Sequence, residues 1–182
     1  MHYIVYDLEA TCWEGRPPGV VQETIEIGAY RIDAYGDVLS SFNRLVRPVV
    51  HRQMSLFCRQ LTGIDQTDIN RAEEFPAVIE AFMDWIGYYD NEDYALASWG
   101  RFDAKQLRRD CALHNLDDDW IYKVIDCKAQ YASFQRLKRP RGLAACIRKE
   151  GLEWHGDQHR ALPDAANLVN LFRAHFDMWR PD

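Results

Sequence analysis

No run of about eighteen apolar residues occurs in this 182-residue chain, so its sequence offers no helical membrane span. A leader pattern is missing too, because Asp7 and Glu9 interrupt an already short N-terminal apolar stretch. Cysteine is scarce and odd in number (Cys12, Cys58, Cys111, Cys127, Cys146), with no C-x-x-C pair. That argues against a zinc ribbon and for free, mostly buried thiols in a reducing compartment, so a cytoplasmic location is expected. There is no internal repeat, low-complexity tract or linker. A single domain over residues 1–182 is therefore expected, with chain enough for a substantial core. Basic charge is not in excess: 22 Lys and Arg face 28 Asp and Glu, for a net charge of −6. This disfavours a protein that coats nucleic acid, but not an enzyme that grips a short stretch of it.

What is present reads as α/β. With 47% hydrophobic and 27% charged residues, the composition is that of an ordinary globular protein. An apolar strand, Tyr3 to Tyr6, runs into Asp7 and Glu9, and Gly15 to Gly19 follows as a loop. Extended segments at Thr24–Asp33 and Val38–Val46 flank a hairpin turn, Ala34 to Asp37. A short helix is expected around Ser55–Leu61, stopped by Gly63. A longer one at Phe75–Tyr88 has Phe75, Val78, Ile79, Phe82, Met83 and Ile86 on one face. Tyr94–Trp99 reads as a buried strand, Phe102–His114 as a helix, Tyr122–Asp126 as a weaker strand, and Cys127–Phe134 as a helix. Helices at Gly142–Glu150 and Pro163–Phe176 close the chain. The alternation implies a mixed sheet with helices packed on it.

Three places carry chemistry. Asp7 and Glu9 alternate onto one face of their strand. Two adjacent carboxylates repel each other and resist desolvation, which a hard cation such as Mg²⁺ or Mn²⁺ relieves. The plainer reading has one acid capping a turn and the other solvated. Asp103 falls in the first turn of a helix after a strand, where a carboxylate is favoured by the helix end alone. His159 lies on the approach to the last helix and Asp164 in its opening turn, with Pro163 tolerated there. His155 and His159 are four apart, a ligand spacing only in a helix, which Gly156-Asp157 makes doubtful. The run Arg136 to Arg141 holds four cations in six residues and reads equally as a phosphate-facing loop or a solvated connection.

The ordered segments YDLEAT, WGRFD and HRALPD resemble the three motifs of the DEDDh 3′→5′ exonucleases of the ribonuclease-H-like superfamily. EATCW, Phe42 to Pro48, Leu61-Thr62-Gly63-Ile64 and Arg71 to Pro76 resemble the subfamily of the three-prime histone mRNA exonuclease and bacterial KapD-like proteins. Together they cover essentially the whole chain. The resemblance implies a ribonuclease-H-like five-stranded mixed sheet with helices on both faces. It implies a metal-dependent hydrolase that releases nucleoside 5′-monophosphates from nucleic acid 3′ ends, single-stranded or short-overhang RNA favoured. Pro163 departs from the second acid that many relatives carry.

By the same resemblance, Asp7, Glu9 and Asp164 hold one Mg²⁺ or Mn²⁺, Asp7 bridges to a second, and Asp103 supports that one. Two such ions about 3.5–4 Å apart serve both attacking and leaving oxygens. His159 is then the general base, a task for which imidazole is suited. The 3′ terminus is expected near the backbone of Ala10 and Thr11, with Leu61 lining the nucleotide pocket. Trp13, Trp99 or Phe102 is available to stack on a base, and Trp99 is expected to contact the substrate. Two alternatives stay open: a DNA-preferring 3′→5′ exonuclease, and a regulatory binding module on the same fold.

Overall fold

The computed structural model describes residues 1–15 and 17–182; of the loop expected at 15–19, Arg16 lies outside the described residues. Five strands, β1 (His2–Ala10), β2 (Thr24–Ile32), β3 (Val38–Leu45), β4 (Tyr94–Ser98) and β5 (Val124–Asp126), form one sheet in the order β3-β2-β1-β4-β5. β1 pairs antiparallel with β2 and parallel with β4, so it is the central strand of a mixed sheet. The helices are α1 (Leu56–Thr62), α2 (Gln66–Arg71), α3 (Phe75–Trp85), α4 (Phe102–Leu113), α5 (Cys127–Phe134), α6 (Leu143–Lys149) and α7 (Ala161–Ala174). Among the described residues no helix is long and apolar enough to cross a membrane.

Strand alternation divides the interior. Ile4, Tyr6 and Leu8 of β1 face one side, where Phe75, Val78, Ile79 and Phe82 of α3 and Ala104, Leu107 and Cys111 of α4 cover them. Burying each large apolar side chain there contributes about 1.5–3 kcal/mol. Val5 faces the other side, packed with Ala95, Ala97 and Ile125 under α5, α6 and α7. Asp7 and Glu9 share the parity of Val5, so β1 aims both acids toward the α7 side of the sheet. The strand continues through both acids to Ala10 rather than ending at them.

Most expected elements fall within a few residues of their observed bounds. α2 is a difference: its six residues bury only Ile69, so it shows no apolar stripe, and Asp65 starts it by accepting from Thr67 N. Ile69 joins Ile25, Met54, Cys58 and Ile64 in a third small core below α1 and α2. Gly63, at φ +67°, ends α1 in the left-handed conformation that other residues adopt reluctantly. All five cysteines are unpaired thiols, and all but Cys12 are buried.

Candidate active site

Four carboxylates from three elements come together with one imidazole from the loop before α7. β1 presents Asp7 and Glu9. The first turn of α4 presents Asp103, and the first turn of α7 presents Asp164. Ligand atoms of Glu9, His159 and Asp164 all lie within 4.8 Å of one another. Asp7 stands in the same field. Burial raises its pKa well above the carboxylate range, and the charges of Asp103, Glu9 and Asp164 push it the same way.

The other acids show the same strain. Glu9 is pushed up to about 8 by burial and by the Asp164, Glu26 and Asp103 charges, with Arg160 pulling weakly back. Burial raises Asp103 to about 6, partly offset by contacts to its own backbone, the Ser98 side chain and the Leu8 backbone. Asp164 also rises to about 6 through burial, offset by the His159 backbone N–H that donates to its Oδ2 at 3.2 Å. Its other oxygen, Oδ1, is buried without a hydrogen-bond partner among the described residues. A buried acceptor left unpaired is costly, and here it belongs to a cluster of four acids.

Residues outside the three motifs hold α7 in place. Glu26 of β2 sits directly across from Glu9 and is fully buried. Arg160 grips it with two bonds, Nε to Oε2 at 3.1 Å and Nη2 to Oε1 at 2.9 Å, and Ala161 N donates to Oε2 at 3.0 Å. Gly28, paired with Asp7, lets α7 approach: a Cβ there would lie 2.1 Å from Leu162 N. Buried Asn167 accepts from His155 N at 3.0 Å and donates to the carbonyls of His155 and Pro163, both at 2.8 Å. It thereby ties the loop carrying His159 to α7. His159 itself has φ +63° and is exposed, and His155 is held by its backbone in that loop rather than in a helix. Pro163 packs against Gly156, where a Cβ would come within 3.0 Å of it.

Sequence reasoning missed Glu26, although a signal for it exists: a lone acid in the apolar strand segment Ile25-Glu26-Ile27. Its partner lies 134 residues away, beyond the reach of any local pattern.

A cleft of about 960 Å³, lined among others by Trp13, Phe57, Leu61, Phe102 and Arg109, reaches the first turn of α4, where Phe102 precedes Asp103. Ser55 fastens its α1 wall by donating to the Cys12 carbonyl at 2.6 Å, and the Cys58 thiol reaches the Ala10 carbonyl at 3.8 Å. Leu61 and Phe102, both partly exposed, face this space, and Trp13 meets His51 edge-on at 4.8 Å. Thr11 is tied to the segment that leads into β2. Its hydroxyl accepts from Glu23 N at 2.9 Å, and its own N–H and carbonyl bond to Glu23 and Gln22. Trp99 stands apart from the cleft lining. It packs against Tyr131 at 5.8 Å and donates to the Arg141 carbonyl at 3.1 Å, so its indole secures a loop.

The exonuclease family RNase_T matches residues 4–172. Human 3′-5′ exoribonuclease 1 is 32% identical over 174 residues, covering 92% of this chain and 50% of that protein. The chain spans about half the length of the curated relatives of that name that it matches. Among solved structures, the nuclease domain of 3′hExo, a DEDDh family member, bound to rAMP, superposes with a TM-score of 0.89 at 30% identity. That match covers 97% of this chain and 92% of the other. A second, showing 3′-end-specific recognition of histone mRNA stem-loop by 3′-exonuclease, has a TM-score of 0.91 at 28% identity over 100% and 85% of the two chains.

Proposed function

Because this chain belongs to the exonuclease family that matches residues 4–172, we propose that it is a divalent-cation-dependent 3′→5′ exonuclease releasing nucleoside 5′-monophosphates, with RNA favoured. The observation that carries this reading is the convergence of Asp7, Glu9, Asp103 and Asp164 with His159 beside an aromatic-lined cleft. The preference for RNA is supported by the exoribonuclease relatives and by a neighbour described with rAMP, a ribonucleoside monophosphate.

The donor set fits a hard cation. All four contributed ligands are carboxylates, Asp164 Oδ1 has no partner among the described residues, and each acid is held above its ordinary pKa first by burial, with neighbouring acids adding to the rise at Asp7 and Glu9. Asp7, Glu9 and Asp164 would hold one ion, and Asp7 with Asp103 a second. Bound Mg²⁺ or Mn²⁺ supplies Lewis acidity toward the phosphoryl oxygens and makes water a stronger nucleophile at neutral pH.

The chain's own groups do the rest. His159, whose imidazole can approach both Glu9 and Asp164, takes a proton from water as that oxygen bonds to phosphorus. The bond from phosphorus to the penultimate O3′ breaks, and that oxygen ends as a free 3′-hydroxyl after gaining a proton. The terminal nucleotide leaves as its 5′-monophosphate. Phe102 or Trp13 stacks on a terminal base and Leu61 packs beside it, contacts that tolerate any base identity.

The test is a gel assay on 5′-labelled single-stranded RNA and matched DNA in Mg²⁺, Mn²⁺ or EDTA. A cation-dependent ladder shortened from the 3′ end, faster on RNA and yielding 5′-monophosphates, is expected. Internal fragments, or cleavage that persists in EDTA, would overturn the reading.

A further inference from the structure

The basic run is the one sequence motif that the catalytic reading leaves unused. Residues 127–149 carry seven of the chain's 22 Lys and Arg and none of its 28 Asp and Glu. In an acidic protein this concentrates positive charge in one stretch of the chain. Arg136, Lys138, Arg139 and Arg141 are exposed or partly so, and none pairs with an acid among the described residues. Together with Leu137 and Pro140 they enclose a small surface hollow lined by no other described residue.

The loop is fixed at both ends. Arg136 N donates to the Ser133 carbonyl at 3.0 Å and Leu137 N to the Ala132 carbonyl at 2.8 Å, which closes α5 in a paired-bond cap. Arg136 occupies the left-handed position of that cap, φ +51°, where glycine is the usual residue. Leu137 packs into the core beneath α5 to α7. At the far end the Trp99 indole holds the Arg141 carbonyl. The cations are thus displayed from an anchored loop, which lowers the ordering cost of a ligand that meets them.

Its anchor leads to the active site. Trp99 immediately follows β4 and stands four residues before Asp103. Lys128 flanks the intervening turn, its Cδ 3.8 Å from the position a Cβ on Gly100 would take. Lys128 thus lies beside the turn before Asp103, and the Arg141 end of the loop is tied to Trp99 at the start of that turn.

We propose that the 136–141 loop, with Lys128 beside the turn that precedes Asp103, is a track for the phosphate backbone of single-stranded nucleic acid upstream of the terminal nucleotide. This rests on the exonuclease reading. The track carries no acceptor pattern for bases, so it would grip by charge alone and be sensitive to salt.

The test compares wild type with the fourfold variant R136Q/K138Q/R139Q/R141Q in two measurements. The first is fluorescence anisotropy with a labelled 20-nucleotide single-stranded RNA in EDTA, over a range of salt. The second is hydrolysis of a dinucleotide in Mn²⁺. The variant is expected to bind the long RNA at least about tenfold more weakly. The slope of log affinity against log salt should fall by about 0.7 for each phosphate no longer neutralised, up to about 3 for four. Dinucleotide hydrolysis should stay at the wild-type rate. Unchanged affinity and slope would overturn the proposal, as would an equal fall in dinucleotide hydrolysis, which would place the effect at the active centre. Wild-type binding that disappears in the variant, with no hydrolysis by either protein, would leave the track standing and overturn the exonuclease reading.

Discussion

Removing the cation and raising the pH should together expose the strain built into the carboxylate cluster. Glu9 is held at about 8 against 4.5 for an unperturbed Glu, and Asp103 and Asp164 at about 6 against 3.8. One unit is worth about 1.4 kcal/mol, so Glu9 alone represents about 5 kcal/mol and each Asp about 3. The Asp164 charge contributes to the Glu9 shift, so these figures overlap; the cluster as a whole costs on the order of 5 kcal/mol when fully ionised.

The sign follows from the raised values. Between about pH 4 and pH 8 the folded chain holds protons that the unfolded chain has released, so metal-free stability falls as pH rises through that window. At about 2–4 °C per kcal/mol for a chain of this size, Tm in EDTA should drop by about 10–15 °C from pH 5 to pH 8. Millimolar Mn²⁺ should restore most of that loss at pH 8, because it binds the folded cluster and not the unfolded chain. Glu9→Gln isolates the effect: in EDTA at pH 8 the variant should melt higher than wild type, and Mn²⁺ should shift it less. Differential scanning calorimetry reads both. A wild-type Tm that stays level or rises across the window in EDTA, or a Glu9→Gln protein that melts lower at pH 8, would refute the reasoning.

Three further substitutions probe the scaffold and the cleft. Gly28→Ala should displace the start of α7, because its Cβ would meet Leu162 N at 2.1 Å; a loss of about 3 kcal/mol in denaturant titration and a collapse of kcat are expected. Glu26→Gln keeps an acceptor for Ala161 N but strands the Arg160 charge, so stability should fall by about 2–4 kcal/mol and kcat should fall more than KM rises. Phe102→Ala should raise KM for RNA by about tenfold or more while kcat changes little, the signature of a missing stacking partner worth about 1–3 kcal/mol.

Much of this is legible where local pattern and local structure coincide. The stripe of Phe75, Val78, Ile79 and Phe82 marks the buried face of α3, and simple alternation places Asp7 and Glu9 on the same side of β1. Long-range pairing is not readable in the same way. Nothing local says that β1 lies between β2 and β4, or that Arg160 reaches Glu26 across 134 residues. α2 is hidden because six residues with one buried apolar side chain make no periodic signal, although Asp65 marks its start. Trp99 shows what residue type alone does not reveal: a tryptophan near a catalytic motif suits stacking in composition, and its ring also meets Tyr131 while its N–H donates to the Arg141 carbonyl. Gly28 reads as an ordinary strand glycine until α7 is seen to press on it.

The central claim is that the β1, α4 and α7 carboxylates act together as a cation site for cutting 3′ ends. Its most direct test is the turnover of 5′-labelled RNA by Asp7→Asn across a Mn²⁺ titration, beside wild type. Asp7 feels Asp103, Glu9 and Asp164 at once, so its loss should reduce turnover by at least about a thousandfold at every Mn²⁺ concentration while the protein stays folded. A folded Asp7→Asn protein that turns over RNA at the wild-type rate would contradict the account.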